Sequence, residues 1–389
     1  MRNKQLAKGS PDMIYKKFGQ NDFKTSILGM GCMRLPVINE ESDNIDEKRA
    51  IEMLRYAVDN GINYIDTAWP YHGGNSEGVV GKALQDGYRE KVKLATKLPI
   101  WKVESIEDCE YYLDQQLERL QTDHIDLYLL HALSEDRWET CKNINVVQWM
   151  EEKQKEGKIK NIGFSFHDDY DLFEEIIDYY DWDFCQIQYN YLDTEFQAGQ
   201  KGLKYAHEQG IAVVVMEPLR GGTLAKTPPK EVNEILDTAD NDRNAVEWSL
   251  QWLWNQEEVD VVLSGMSTMK QLEENIELAS QADDNRLNNE EMKLIDKARD
   301  KFLDIFPVAC TGCNYCIPCP EGVAIPNIFA LYNEAIIYND FDANQKRYLN
   351  MDEKARADNC IECGQCEKAC PQSLNVIDYL KDAHNHFVE

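Results

Sequence analysis

From Ser26 to about Ala282, short apolar runs alternate with longer stretches in which apolar residues recur every three or four positions. The short runs, 26–29, 63–66, 92–97, 126–131, 159–165, 184–189, 212–217 and 261–264, are rich in Val, Ile, Leu and Tyr. Brief, nearly continuous apolar segments of this kind suit strands covered on both faces, and so predict a parallel sheet. The stretches between them predict helices. In the first, Ile51, Leu54 and Val58 share one face, and Asn60-Gly61 supplies a C-terminal stop. Further helical patterns centre on 106–120, 146–156, 171–180, 201–209, 244–254 and 270–282. Eight strands in strict alternation with helices predict an α/β fold of the (β/α)₈ barrel type. An open doubly wound sheet would carry G-x-G-x-x-G after its first strand, and Leu28-Gly29-Met30-Gly31-Cys32-Met33 does not supply it.

A polar helical stretch, 289–302, leads out of this pattern, and composition changes at Pro307. The chain therefore divides into a barrel over 14–305 and a smaller domain over 306–389. Of the 12 cysteines, Cys32, Cys109, Cys141 and Cys185 are scattered and read as buried small apolar residues. The others form two runs. Cys310, Cys313, Cys316 and Cys319 are spaced by two residues each, with Pro320 following. Cys360, Cys363, Cys366 and Cys370 give C-x-x-C-x-x-C-x-x-x-C, with Pro371 following. The second run is the bacterial pattern for a 4Fe–4S cluster, in which the fourth Cys reaches the other cluster. By that rule one cluster takes Cys310, Cys313, Cys316 and Cys370, and the other takes Cys360, Cys363, Cys366 and Cys319. The first run is one residue short before Cys319. Zinc would instead use paired C-x-x-C units closing one tetrahedron. Helical patterning at 328–338, between the runs, predicts a mainly helical ferredoxin-like domain.

Charge narrows the partners. A net charge of −29 over 389 residues makes the chain a poor match for nucleic acid or an anionic membrane. No apolar run reaches the roughly 20 residues needed to cross a bilayer. Residues 1–17 are polar and lack a signal-peptide core, which predicts a cytoplasmic protein.

In a (β/α)₈ barrel, reactive groups sit at the C-terminal ends of strands. Here those ends bear Asp66, with Tyr71 in the following loop, then Lys97, then His131. An unperturbed phenol has a pKa of about 10, and a nearby ammonium lowers it. Lys97 is expected to do this for Tyr71, with Asp66 holding Lys97 in place. A neutral His131 would hydrogen-bond a carbonyl oxygen. Together they suit protonation of an oxygen while hydride arrives at its carbon.

Ile65-Asp66-Thr67-Ala68, Tyr71 and Gly74-Asn75-Ser76-Glu77 resemble the signature of the aldo-keto reductases. Ala95-Thr96-Lys97 and Asp126-Leu127-Tyr128-Leu129-Leu130-His131 resemble that family's next two motifs. The resemblance implies a tetrad of Asp66, Tyr71, Lys97 and His131, with Tyr71 as general acid. It further implies that Ser165 and Gln186 hold a nicotinamide carboxamide. Met216 takes the place of the aromatic that often stacks on the ring, in Met216-Glu217-Pro218-Leu219-Arg220-Gly221-Gly222. Pro218, Leu219 and Arg220 would join the nucleotide contacts. Phe166 stands where many members have Asn. Gly265, Gln271, Glu274 and Asn275 fit the adenosine-binding segment, although many members place basic residues on the 2′-phosphate at the positions of Gly265 and Gln271. The implied cofactors are NADP or NAD and two 4Fe–4S clusters, as in a subgroup of these reductases with a C-terminal dicluster domain. The expected partners are a small carbonyl substrate and a one-electron redox protein. Two other readings remain open, an electron-transfer protein whose barrel docks a partner and a sensor of oxygen or iron.

Overall fold

A computed structural model describes residues 12–39, 41–305, 307–338 and 340–388. A hairpin of β1 (Tyr15–Lys17) and β2 (Lys24–Ser26) precedes eight parallel strands that close into a barrel. These are β3 (Leu28–Gly31), β4 (Tyr64–Asp66), β5 (Lys93–Leu98), β6 (Ile125–Leu133), β7 (Ile159–Phe166), β8 (Phe184–Gln188), β9 (Ala212–Met216) and β10 (Val261–Ser264). They follow chain order around the barrel, and β10 closes on β3. All eight lie within two residues of their expected ends. In the first, pairing begins at Leu28 rather than Ser26, because Ser26 belongs to the hairpin. Its N–H donates to Asn63 Oδ1 at 2.7 Å and its hydroxyl to Leu28 O at 2.7 Å. That polar joint turns the chain from hairpin into barrel.

The hairpin loop carries Phe18, which is fully buried and packs with Tyr64, Phe184, Ala212 and Val261. All four are first residues of their strands. The hairpin therefore seals the N-terminal end of the barrel and leaves the other end for chemistry.

Helix Glu47–Asp59 shows how the outer ring is specified. Asp46 accepts Arg49 N–H at 3.2 Å as N-cap, and Ala50, Met53, Leu54, Ala57 and Val58 are buried. Gly61 ends the turn at φ +95°, where a Cβ would collide with Met13. Helices Glu135–Asn143 and Lys230–Leu236 escaped the periodic pattern. In the first, among mostly charged neighbours, Trp138 and Cys141 are the buried residues, too few to mark a face. The four scattered cysteines are all buried.

Two compact units emerge. The first comprises the described residues of Met1–Tyr189, Asp193–Pro218 and Leu250–Arg286, and the second those of Asn190–Leu192, Leu219–Ser249 and Leu287–Glu389. The cysteine-rich part of the second is mainly helical: Ile325–Ile337, Phe341–Leu349, Gln365–Ala369 and Val376–Val388, with no strand among its described residues. Its core joins Val308, Ile328, Phe329, Tyr348, Leu380 and Phe387. No described helix is long and apolar enough to cross a membrane.

Candidate functional site

Strand register brings the four barrel-mouth residues together. Asp66 ends β4 opposite Ala95, and Lys97, two residues on, pairs with Leu129 of β6, two before His131. Equal parity points these side chains inward on neighbouring strands. Tyr71 follows β4 in a short turn, Tyr71–Gly74. Lys97 Nζ lies 2.6 Å from Asp66 Oδ1, donates to Thr67 O at 2.9 Å and donates to the Tyr71 hydroxyl at 3.2 Å. The His131 ring stands edge-on to Tyr71, centroids 6.1 Å apart.

Electrostatics here depart from the expectation in one respect. The Tyr71 hydroxyl is raised well above its usual value by burial and by Asp66, Cys32 and Glu217, with Arg34 opposing. Burial is the largest cause of the rise and outweighs the neighbouring Lys97 ammonium, and the Asp66 carboxylate adds to it. Tyr71 is therefore a neutral phenol with a proton to give. Burial, then Lys97, His167 and Arg137, push His131 well below the usual imidazole range, so it is a neutral hydrogen-bonding group. Burial raises the carboxyl of Asp66 while Lys97 opposes it.

A second layer went unread in the sequence. Glu77, fully buried, accepts from Thr96 at 2.7 Å and from Gln116 at 2.8 Å, and pairs with Arg119 at 3.3 Å. Gln116 also donates to Lys97 O at 3.0 Å and takes the Tyr128 hydroxyl at 2.8 Å. This network clamps the β5 backbone behind Lys97. An acid at position 77 among the buried Val79, Val80 and Ala83 was the available signal. Trp101, beside His131 at 5.0 Å, had none.

Ser165 and Gln186 suit a carboxamide. Ser165 Oγ accepts Ala132 N–H at 2.7 Å, which leaves its own hydrogen to donate. Gln186 Oε1 is buried with no donor among the described residues, as an acceptor awaiting an amide N–H would be. Phe166 packs outward on Phe164 and Phe173, in the core rather than the mouth. Met216 is half-buried and Pro218 buried at the end of β9, and Leu219 and Arg220 open the second unit's first long segment. After β10, Asn275 donates to Ser264 Oγ at 3.1 Å, and Glu274 pairs with Lys270 at 3.6 Å in solvent. Gln271 caps helix Met269–Ser280 by accepting from Ser267 and Thr268 N–H.

The cysteine loops share a backbone design. Gly312 and Asn314 have φ +65° and +65°, and Glu362 and Gly364, at the matching places of the second run, +56° and +73°. Left-handed residues between thiols coil each loop tightly, so that backbone N–H groups face sulfur. Gly312 N–H donates to Cys310 Sγ at 3.4 Å. Burial, then Cys313, Cys310 and Cys370, push the Cys316 thiol up to about 12. Cys319 lines a cavity of about 230 Å³ with Cys316, Cys360, Cys363 and Cys366. A buried thiol crowded by other sulfurs, like that of Cys316, suits a cationic iron core, which would stabilise its thiolate. Among the described residues, no three His, Cys, Asp or Glu side chains converge on a single-ion site.

Comparisons with known proteins bear on both parts. Residues 27–300 match the Aldo/keto reductase family, and residues 309–375 match a 4Fe-4S dicluster domain. The uncharacterized oxidoreductase YqkF of Bacillus subtilis is 30% identical over 314 residues, which cover 73% of this chain and 95% of that protein. The NADH-specific methylglyoxal reductase of Escherichia coli is 27% identical over 300 residues, 66% of this chain and 91% of its own. Aldo-keto reductase AKR11C1 from Bacillus halodurans, in its holo form, superposes with a TM-score of 0.62 at 29% identity, over 74% of this chain and 96% of its own.

Proposed function

The chain belongs to the aldo/keto reductase family, and on that premise we propose that its barrel, 14–305, moves hydride between NAD(P)H and a carbonyl or alcohol, while 306–389 holds two 4Fe–4S clusters. The observation that carries this reading is the contact of Lys97 Nζ with both Asp66 and the Tyr71 hydroxyl, beside a neutral His131.

Bound NAD(P)H would supply the hydride, with Ser165 and Gln186 on its carboxamide, Met216 by its ring, and Pro218, Leu219, Arg220, Gly265, Gln271, Glu274 and Asn275 along the rest. The chain's own work concerns the oxygen. His131 donates a hydrogen bond to the substrate carbonyl and holds it toward Tyr71. Tyr71 gives its proton to that oxygen as the carbon is reduced, which leaves an alcohol and a phenolate. Lys97 stabilises the phenolate through the existing hydrogen bond, and Asp66 holds Lys97 in place. Solvent then returns the proton to Tyr71. Methylglyoxal, which the Escherichia coli relative's name specifies, is the first substrate to try. The cysteine quartets would supply single-electron chemistry to an outside redox protein. Cys363 is exposed, which favours such exchange.

Tyr71→Phe tests the assignment. Turnover should fall about 10²–10⁴-fold, as for loss of a general acid, while nucleotide affinity measured by titration stays near that of the wild type. Unchanged turnover would remove Tyr71 from the mechanism.

A further inference from the structure

We infer that Arg34, from the end of β3, is the cationic anchor for a phosphate of the nicotinamide dinucleotide, a step that rests on the reductase reading above. Gly265 stands where many members carry a basic residue, yet the space its side chain would fill is not empty. A Cβ built on Gly265 would lie 3.2–3.3 Å from Cδ, Cβ and Cγ of Arg34. Gly265 is not among the left-handed glycines, so room for Arg34, not backbone conformation, calls for glycine there. The charge that others place on the segment after β10 thus arrives from the strand beside it.

Arg34 is also tied to that segment, because Ser267 Oγ donates to Arg34 O at 2.8 Å. Its guanidinium stands 3.8 Å from Glu217, a residue with φ +55° at the end of β9. The Arg34 side chain is 33% exposed, so a phosphate oxygen can reach its guanidinium. A planar guanidinium meets phosphate with two parallel N–H donors. Two other candidate side chains lie on the segment after β10. Gln271 caps its helix, and Lys270, with a side chain 82% exposed, pairs with Glu274. In a chain of net charge −29, a polyanionic nucleotide needs a local cation at its mouth.

The test uses full-length, cluster-loaded protein prepared without oxygen, titrated with NADH and with NADPH by nucleotide fluorescence. Arg34→Gln should raise Kd by about tenfold to hundredfold, the size of a charged hydrogen bond. A rise for both nucleotides assigns Arg34 to the pyrophosphate, and a rise for NADPH alone assigns it to the 2′-phosphate; either supports the inference. Glu217→Gln should tighten binding severalfold by removing the competing carboxylate, whereas weaker binding would speak against it. Arg34→Ser with Gly265→Lys should regain most of the affinity that Arg34→Ser loses. Unchanged Kd in a folded Arg34→Gln protein overturns the inference. So does a rise confined to the KM of a carboxylate-bearing carbonyl, which would make Arg34 a substrate contact. A wild type that binds neither nucleotide would overturn the reductase reading as well.

Discussion

Tyr71 and His131 hold their protons in opposite ways for one purpose. Burial keeps the phenol protonated and the imidazole neutral across the neutral range, as the proposed donors to a carbonyl oxygen must be. The sign of each shift sets the pH dependence. Because His131 is depressed, it stays uncharged as pH falls through 6.5, where an ordinary imidazole would protonate. Because Tyr71 is raised, it keeps its proton as pH rises toward 10. The kcat/KM profile should therefore show no acid limb near 6.5. A limb there, absent in His131→Asn, would show that His131 titrates normally and is not the neutral donor. The same depression bears on stability. The folded state binds fewer protons than the unfolded one below the unfolded value of 6.5, so stability present above that pH is lost as pH falls through it.

At the level of elements, the segment after β9 has the most to lose. Gly221 has φ +64°, and a Cβ there would strike the carbonyl of Thr311, next to Cys310. Lys226, in the same segment, pairs with Glu334 at 2.6 Å, and Glu334 also takes Arg347 at 2.7 Å. Gly221→Val should cost about 1–2 kcal/mol for the left-handed backbone alone, with overpacking added. The expected outcome is a lower Tm and easier loss of iron on chelation. A protein that melts and holds iron as the wild type does would mean the loop simply moves aside. The barrel strands were readable because both-face burial writes itself as short apolar runs. Helix Glu135–Asn143 was not readable, since its buried face is little more than Trp138 and Cys141.

At the scale of the whole molecule, the proposed function puts two kinds of electron chemistry in one chain. Nicotinamide gives up electrons in pairs as hydride, whereas a 4Fe–4S cluster takes them singly, so direct exchange between the two is expected to be slow. Cys363→Ser should therefore leave hydride transfer largely intact in folded protein while abolishing exchange with one-electron dyes through that cluster. Mixing NADH or NADPH with oxidised protein under anaerobic conditions should bleach the cluster absorbance slowly. Bleaching as fast as carbonyl turnover would show that the barrel feeds the clusters directly.

The sequence by itself determined the order of the eight strands, the strand ends that carry Asp66, Lys97 and His131, and the two cysteine quartets. Each is a local pattern, fixed by period and spacing within a few residues. Only the tertiary structure decided what surrounds those groups. Burial raises Tyr71 although Lys97 donates to its hydroxyl, and Arg34 fills the space beside Gly265 while facing Glu217. The segment Leu219–Ser249 packs with the cysteine-rich region although it lies between β9 and β10 in the chain. Fields and volumes of this kind are set by residues far apart in sequence, and barrel closure brings them within a few ångströms of one another.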